Sequence, residues 1–291
     1  MRLLHQDHQA ATVAQRLLML FRTADSSGTY GNSEKRRHLS SDVDELLAAL
    51  PQAVLETASV EELKNGNARS RKWVFYYVIP SQRRGPFVSE NLARAVLQVS
   101  RDNDTAVRTA ALNWLVQQPL ASRFPNVVAG AKTRFREALS DKTPVAALSA
   151  VRGLLDSESD TPLVVETLTR LIGSPTESAG FPTEATNLQA DVLRLAAVMG
   201  PRAAAAAPAI APFLLLRDSP SPGPGFSIGS SGPGFGTIQL SMKSLAALAL
   251  ARMGKAAIAA LPTIEEALKQ FEGDPQSAVV EPPLRLGVAG A

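Results

Sequence analysis

The stretch "MGPRAAAAAPAIAPFLLL", Met199–Leu216, decides how this chain is read. Eighteen residues hold five consecutive alanines, three prolines and a closing run of leucines. Alone, it reads as low-complexity filler, a broken membrane span or one unit of an ordered repeat. A second stretch separates these readings. "MGKAAIAALPTIEEALK", starting at Met253, aligns with it without gaps at an offset of 54 residues. Gly200 matches Gly254, Ala203 matches Ala257, Pro208 matches Pro262, Ile210 matches Ile264 and Leu214 matches Leu268. An apolar helical run precedes each copy, "LQADVLRLAAV" before the first and "MKSLAALALAR" before the second.

The shared positions have physical meanings. Gly200 and Gly254 follow an apolar helix, where glycine forms a left-handed C-terminal cap. Small alanines then let the chain turn back close to the helix it has left. Pro208 and Pro262 fit the first turn of a second helix, where a missing N–H costs nothing. Ile and Leu four residues apart put an apolar stripe on that helix. Each unit is therefore a helix hairpin with an apolar face that a neighbouring hairpin must cover. Arg202, the prolines and the second copy all argue against filler and against a membrane span.

Looser copies precede these two. "DTAVRTAALNWLVQ" (Asp104–Gln117) is followed by "VVAGAKTRFREAL" (Val127–Leu139). "TPVAALSAVRGLL" (Thr143–Leu155) is followed by "PLVVETLTRLIG" (Pro162–Gly173). Asp104 and Thr143 are placed as helix N-caps. First helices start near 104, 143, 188 and 241, and loop insertions absorb the drift in spacing. In Asp218–Thr237, fifteen of twenty residues are Gly, Pro or Ser, which predicts a flexible loop. Ser174–Asn187 reads as another inter-repeat loop.

Asp104, Val107, Arg108, Ala111 and Leu115 form the pattern Asp-x-x-Val-Arg-x-x-Ala-x-x-x-Leu. It resembles the first helix of a HEAT repeat, and the Met-Gly…Ala-x-Pro continuation resembles the HEAT variety common in bacterial proteins. The resemblance covers about Asp104–Phe271. It implies an all-α fold, a right-handed α-α superhelix (armadillo-like α-solenoid) of about four hairpins with a curved binding surface. It also implies that Arg108 and Arg152, read as lying at similar places in their helices, bond to an Asp at the turn of an adjoining repeat. Asp102, Asp104 and Asp141 are the local candidates. The expected organisation is an irregular helical N-terminal cap over 1–103, repeats over 104–272 and an extended or disordered tail over 273–291. HEAT arrays share architecture rather than activity, so the resemblance implies no reaction.

Within the N-terminal third, helices are expected at His8–Ala24, Ser41–Thr57 and Ser89–Ser100. "KWVFYYVIP" (Lys72–Pro80) is aromatic and β-branched, which favours a strand, whereas an all-α context favours a buried helix. The helix is preferred.

Composition narrows the functional classes. The chain has 291 residues, 45% hydrophobic and 5% aromatic, which suits close-packed helices rich in Ala and Leu. It has no cysteine, which excludes disulfides, thiol nucleophiles and Cys-ligated zinc or iron–sulfur clusters. The three histidines, His5, His8 and His38, all lie near the N-terminus. His5, Asp7 and His8 make a weak metal set at a fraying end. Some HEAT-like enzymes bind iron through His-Glu pairs, and the repeats carry none. Neither a phosphate loop with its Gly-Lys-Ser/Thr end nor a Gly-x-Ser-x-Gly elbow is present. No catalytic residue, cofactor or metal is therefore expected. The first 21 residues read as an amphipathic helix rather than a signal peptide, and no run of about 18 uncharged apolar residues suggests a span. A cytoplasmic protein is the expectation.

Charge is uneven. Residues 1–137 hold 19 Lys/Arg against 13 Asp/Glu, and residues 138–291 hold 11 against 14. Lys64, Arg69, Arg71, Lys72, Arg83 and Arg84 form a basic cluster with Trp73, Phe75, Tyr76 and Tyr77 interleaved. Such a cluster can grip phosphates and stack bases, and HEAT-like DNA-repair glycosylases use a basic surface. The bland alternative is that the aromatics are core and the cations solvated. Phe226 and Phe235, on the doubled "GPGF", are further candidates for partner contact. The expected function is a non-catalytic α-solenoid scaffold or adaptor that binds a protein or peptide on its concave face, with nucleic-acid binding through the basic N-terminal half as the alternative. Gly200, Pro208, Gly254, Pro262, Arg108 and Arg152 are expected to be structural.

Overall fold

The computed structural model describes residues 50–79, 89–118, 120, 123–173, 182–216, 227–228, 238–239 and 241–272, together with Thr12 and Arg16. The fold is all-α. Among the described residues the single exception is a two-residue antiparallel ladder, in which Ser227–Ile228, inside the stretch expected as a Gly/Pro/Ser-rich loop, pairs with Ile238–Gln239 just after it. The chain divides into two compact units, Met1–Asp156 and Ser157–Ala291. The expected boundary at 103/104 falls inside the first. The hairpin read over Thr143–Gly173 is divided between the two.

In the first unit, α1 spans Gln52–Asn65 and α2 spans Ala68–Trp73. α2 continues into a π-helical turn, Val74–Val78, closed by the Ile79 amide donating to the Val74 carbonyl. Of the "KWVFYYVIP" segment, Lys72–Ile79 is thus helical, and Pro80 lies outside the described residues. Burial overrides its strand propensity: Trp73, Val74, Phe75 and Val78 are all core. Then come α3 (Glu90–Val99), α4 (Thr105–Gln117), α5 (Pro125–Ala138) and α6 (Pro144–Leu154). α1 packs on α3, α2 on α4, α3 on α4 and α5, and both α4 and α5 on α6. The apolar positions explain this packing. Leu92, Val96 and Val99 line one face of α3, and Val107, Ala111, Leu112 and Leu115 line the buried side of α4. Trp114 is buried as expected of a filler.

The local punctuation differs from expectation in places. Of the helix expected over Ser41–Thr57, residues 41–49 lie outside the described residues, and Leu50 and Pro51 are not helical. Pro51, extended at ψ 135°, is the N-cap from which α1 starts and runs on to Asn65. Proline disfavours helix in the residue before it, so a helix boundary falls there. Ser89 caps α3 and Asp104 caps α4, donors being the amides of Leu92, and of Ala106 and Val107. Thr143 holds the N-cap position of α6 but makes no side-chain cap; its hydroxyl accepts from Arg108 instead, at 3.4 Å. Of the helix expected over His8–Ala24, Thr12 and Arg16 are helical and the rest lies outside the described residues. So do the residues after 272.

The second unit holds α7 (Thr161–Gly173) and then two copies of one bent hairpin. α8 (Pro182–Met199) leads into a 3-10 segment, Gly200–Ala206, a short α9 (Ala207–Ile210) and a second 3-10 segment, Ala211–Leu215. α10 (Met242–Met253) leads into the 3-10 segment Gly254–Ala260 and α11 (Leu261–Glu272). α8 begins six residues earlier than its apolar pattern, because Pro182 opens it at a position where the absent N–H is harmless.

Gly200 and Gly254 have φ of +57° and +59°, a region that L side chains avoid. At Gly254 ψ is −137°, so the break is sharper than a left-handed helical cap. Ala203, Ala206 and Ala207 are fully buried, and Pro208 sits in the first turn of α9. α8 packs on α10, Gly200–Ala206 on Gly254–Ala260, and Ala211–Leu215 on α10 and α11. The two copies therefore stack like on like.

Two helical stretches, Leu188–Leu215 and Met242–Gln270, are long and apolar enough by length and composition to cross a membrane. Neither is an uninterrupted apolar run, because a few charges punctuate each. Both are bent at the positive-φ glycine, and they lie against each other.

Candidate interaction surfaces

The first unit is stitched by a motif that occurs twice. Asp102 lies two residues before the N-cap of α4, and Asp141 two before that of α6. One oxygen of each closes its own turn, accepting from the amide of Asp104 (2.8 Å) and of Thr143 (2.9 Å). The other oxygen of each accepts from an arginine of the preceding helix pair. Arg71 Nη1 donates to Asp102 Oδ2, and Arg108 Nε donates to Asp141 Oδ2 at 2.7 Å. Arg108 also donates through Nη2 to Asp141 Oδ1 (3.2 Å) and through Nη1 to the Asp102 carbonyl (2.7 Å).

Arg71 and Arg108 are each the fourth residue of their helix, four after a capping Asn67 or Asp104. The expected partner for Arg108 is thus found. Its counterpart is Arg71, however, and not Arg152, which lies in the last turn of α6. The sequence carried the signal in "NARSR" against "DTAVR".

Around this ladder lies a network of compensated charge. Lys72 pairs with Asp104 Oδ2 at 2.8 Å. Burial alone would raise the Asp104 carboxyl, but Lys72 and the amides of Val107 and Ala106 outweigh it and hold it below its ordinary value. Asp141 behaves alike: burial raises it, and Arg108 and the Thr143 amide bring it below the ordinary value. Arg134 is buried on α5 and donates through Nε and Nη2 to the Ser100 carbonyl at the end of α3. Burial pushes its guanidinium down from the ordinary value, against the attraction of Glu137. The Arg101 hydrogen bonds lower Glu137, whose carboxylate in turn raises Arg101.

This geometry redistributes the basic cluster. Arg71 and Lys72 are spent in internal ion pairs. Lys64 is exposed, its carbonyl accepting from Arg71 Nη2 at 3.1 Å, and Arg69 is exposed on α2. Trp73 and Phe75 are core, so they offer no face to a base; Tyr76, 58% exposed on the π turn, does. Arg83, Arg84, Phe226 and Phe235 lie outside the described residues, as does the His5–His8 cluster. Among the described residues no group of three or more His, Asp or Glu is placed to hold a metal.

Two surfaces remain that the sequence did not single out. One is the outer face of α3 and α5. The helices approach closely where Gly130 meets Leu97: a Cβ on Gly130 would lie 2.7 Å from Leu97 Cδ2. Arg94, Gln98, Lys132, Thr133 and Arg136 are exposed there; Arg94 pairs with Glu90 at 2.5 Å and Arg101 with Glu137 at 2.9 Å. Exposed cations outnumber exposed carboxylates on this face. The other surface, in the second unit, is apolar: Leu248, Ile258, Leu261 and Leu268 of the α10–α11 hairpin are all exposed, Ile258 by 73%.

No family model matches this chain, and no curated protein matches it. Among solved structures, the crystal structure of an engineered protein from the Northeast Structural Genomics Consortium is similar at 16% identity and a TM-score of 0.38, covering 81% of this chain and 90% of that one. At that score the likeness carries no argument.

Proposed function

We propose that this chain is a HEAT-type α-solenoid that acts as a non-catalytic scaffold, binding a protein or peptide partner through the exposed face of α3 and α5. The observation that carries the reading is the repeated motif of turn-closing aspartate and preceding-helix arginine, Asp102 with Arg71 and Asp141 with Arg108. It binds each helix pair to the next and leaves the outer faces of α3 and α5 side by side. Rigid neighbouring helices with exposed polar side chains present a fixed pattern of donors, which lowers the ordering cost of binding. The face carries Arg94, Arg101, Lys132 and Arg136 against two carboxylates, Glu90 and Glu137, which pair with Arg94 and Arg101, and this positive balance favours an acidic segment of a protein.

Nucleic-acid binding through the basic cluster is the competing reading. Its support is reduced to Lys64, Arg69 and Tyr76 among the described residues, because Arg71, Lys72, Trp73 and Phe75 serve the fold.

One experiment separates the two. The purified chain is titrated with a fluorescent poly-glutamate-rich peptide and with single-stranded oligonucleotides at low and moderate salt. The scaffold reading expects peptide binding that is lost in Arg94→Glu/Lys132→Glu and kept in Lys64→Glu/Arg69→Glu, with circular dichroism unchanged. Oligonucleotide binding lost in the Lys64/Arg69 variant instead overturns it.

A further inference from the structure

We infer that Glu137 is an internal stand-in for a carboxylate of the acidic partner, held between Arg101 and Arg134 until the partner's own carboxylate displaces it. This rests on the scaffold reading above and adds to it the place where the partner is gripped.

The seat is built from inside the fold. Ser100 ends α3, and its carbonyl is one of the acceptors left over at a helix C-terminus. Arg134 of α5 donates to it through Nε at 3.0 Å and through Nη2 at 2.7 Å. Those two bonds lock a guanidinium whose side chain is 8% exposed. The third nitrogen, Nη1, is left turned toward Glu137 at 3.3 Å. That is long for a charge-assisted bond, which runs about 2.7–2.9 Å. Burial, with Arg101 adding to it, pushes the Arg134 guanidinium down from its ordinary value, against the attraction of Glu137. Glu137 therefore compensates a fixed cation at this corner only in part.

Arg101 closes the seat from outside. It reaches Glu137 with Nε at 3.2 Å and with Nη2 at 2.9 Å and 3.0 Å. This is the fork by which arginine takes a carboxylate at two points. Arg101 and Glu137 are 59% and 43% exposed, so a partner reaches the pair. Exposed pairs contribute little to stability, so exchanging one carboxylate for another costs the fold little. The ladder carboxylates offer no such exchange: Asp102 and Asp141 are 7% and 11% exposed, and each closes its own turn. Lys132 and Arg136, exposed on the same helix as Glu137, draw an acidic segment toward the seat.

The test is a double-mutant cycle on the full chain with the fluorescent glutamate-rich peptide, read by anisotropy at one salt concentration. Glu137→Ala vacates the seat and is expected to tighten binding about fivefold, the size of one exposed pair. Arg101→Ala is expected to weaken binding. Glu137→Ala/Arg101→Ala is expected to bind no tighter than Arg101→Ala, because both residues act through one seat. Circular dichroism is expected to be unchanged throughout. An equal gain from Glu137→Ala with and without Arg101 overturns the inference, since loss of a negative charge then explains it. Wild-type binding that Glu137→Ala leaves unchanged also overturns it, with the scaffold reading intact. No peptide binding by the wild type or by Glu137→Ala overturns the scaffold reading as well.

Discussion

Replacing Arg108 with alanine tests the ladder directly. The side chains of Arg108 and Asp141 are 16% and 11% exposed, and four of the arginine's hydrogen bonds reach Asp141, Asp102 and Thr143. Removing it leaves the Asp141 carboxylate largely desolvated without its cation. Breaking a buried pair costs about 3–5 kcal/mol. Residual water access here lowers the expected loss to about 2–4 kcal/mol. Arg101 and Glu137 form a pair of similar chemistry, but they are 59% and 43% exposed. Arg101→Ala therefore costs about 0–1 kcal/mol, as exposed pairs do.

The assay is urea unfolding followed by tryptophan emission. Both tryptophans, Trp73 and Trp114, lie in the first unit and are buried, so their signal reports that unit alone. With an m-value of about 1–2 kcal/mol/M, the Arg108→Ala midpoint falls by about 1–4 M, and that of Arg101→Ala hardly moves. The double variant Arg108→Ala/Asp141→Asn recovers part of the loss, because the stranded charge is gone. Equal, small shifts for Arg108→Ala and Arg101→Ala would refute the claim that burial makes the ladder structural.

Three other outcomes follow from the geometry of the two units. Gly200→Ala and Gly254→Ala each lower the melting temperature of the second unit by circular dichroism, at a cost of about 1–2 kcal/mol for a positive φ. Gly200→Ala is the worse of the two, since its Cβ also meets the Arg252 carbonyl. Gly153→Ala drives a Cβ into the Phe135 ring and costs about 1–2 kcal/mol despite better helix propensity, whereas Gly130→Ala meets the flexible end of Leu97 and is near neutral; tryptophan-monitored urea midpoints distinguish them. Acid weakens the first unit. Asp104, Asp141 and Glu137 have folded pKa values below their ordinary ones, so the unfolded chain binds more protons in acid. Their contribution is present above about pH 4–5, the unfolded carboxylate range, and is lost as pH falls through the lower folded values. Urea midpoints measured from pH 7 to pH 3 show this decline, and Asp141→Asn makes it shallower.

The hairpins were legible because their signals are local. A glycine after an apolar helix, a proline eight residues later and an Asp cap each act within a turn or two, and all three stand where the residues put them. The repeat offset also disclosed the stacking of the two copies. The fate of the basic cluster was not legible. Arg71 and Asp102 are 31 residues apart, and nothing in a run of cations says that a carboxylate beyond α3 will absorb one of them. Pairing Arg108 with Arg152 was a periodicity error. Counting from each N-cap, rather than from the middle of each helix, gives Arg71. The Lys72–Pro80 segment was ambiguous because β-branched and aromatic residues serve a buried helix as well as a strand, and a π turn has no residue signature of its own. The face of α3 and α5 went unnoticed because its cations are spread over two helices that only the fold brings together.

The ladder has a kinetic side. Each arginine closes a loop of 31 or 33 residues, and each helix of the first unit touches partners one or two elements away. A chain knitted at such short intervals pays little loop-closure entropy per contact and can nucleate at any helix pair. Millisecond refolding of tryptophan emission in stopped-flow mixing is the corresponding observable. A seconds-long main phase would mean that distant segments must meet first. Growth of the fold by duplication would then carry no kinetic penalty, since an added hairpin brings its own nearest neighbour with it.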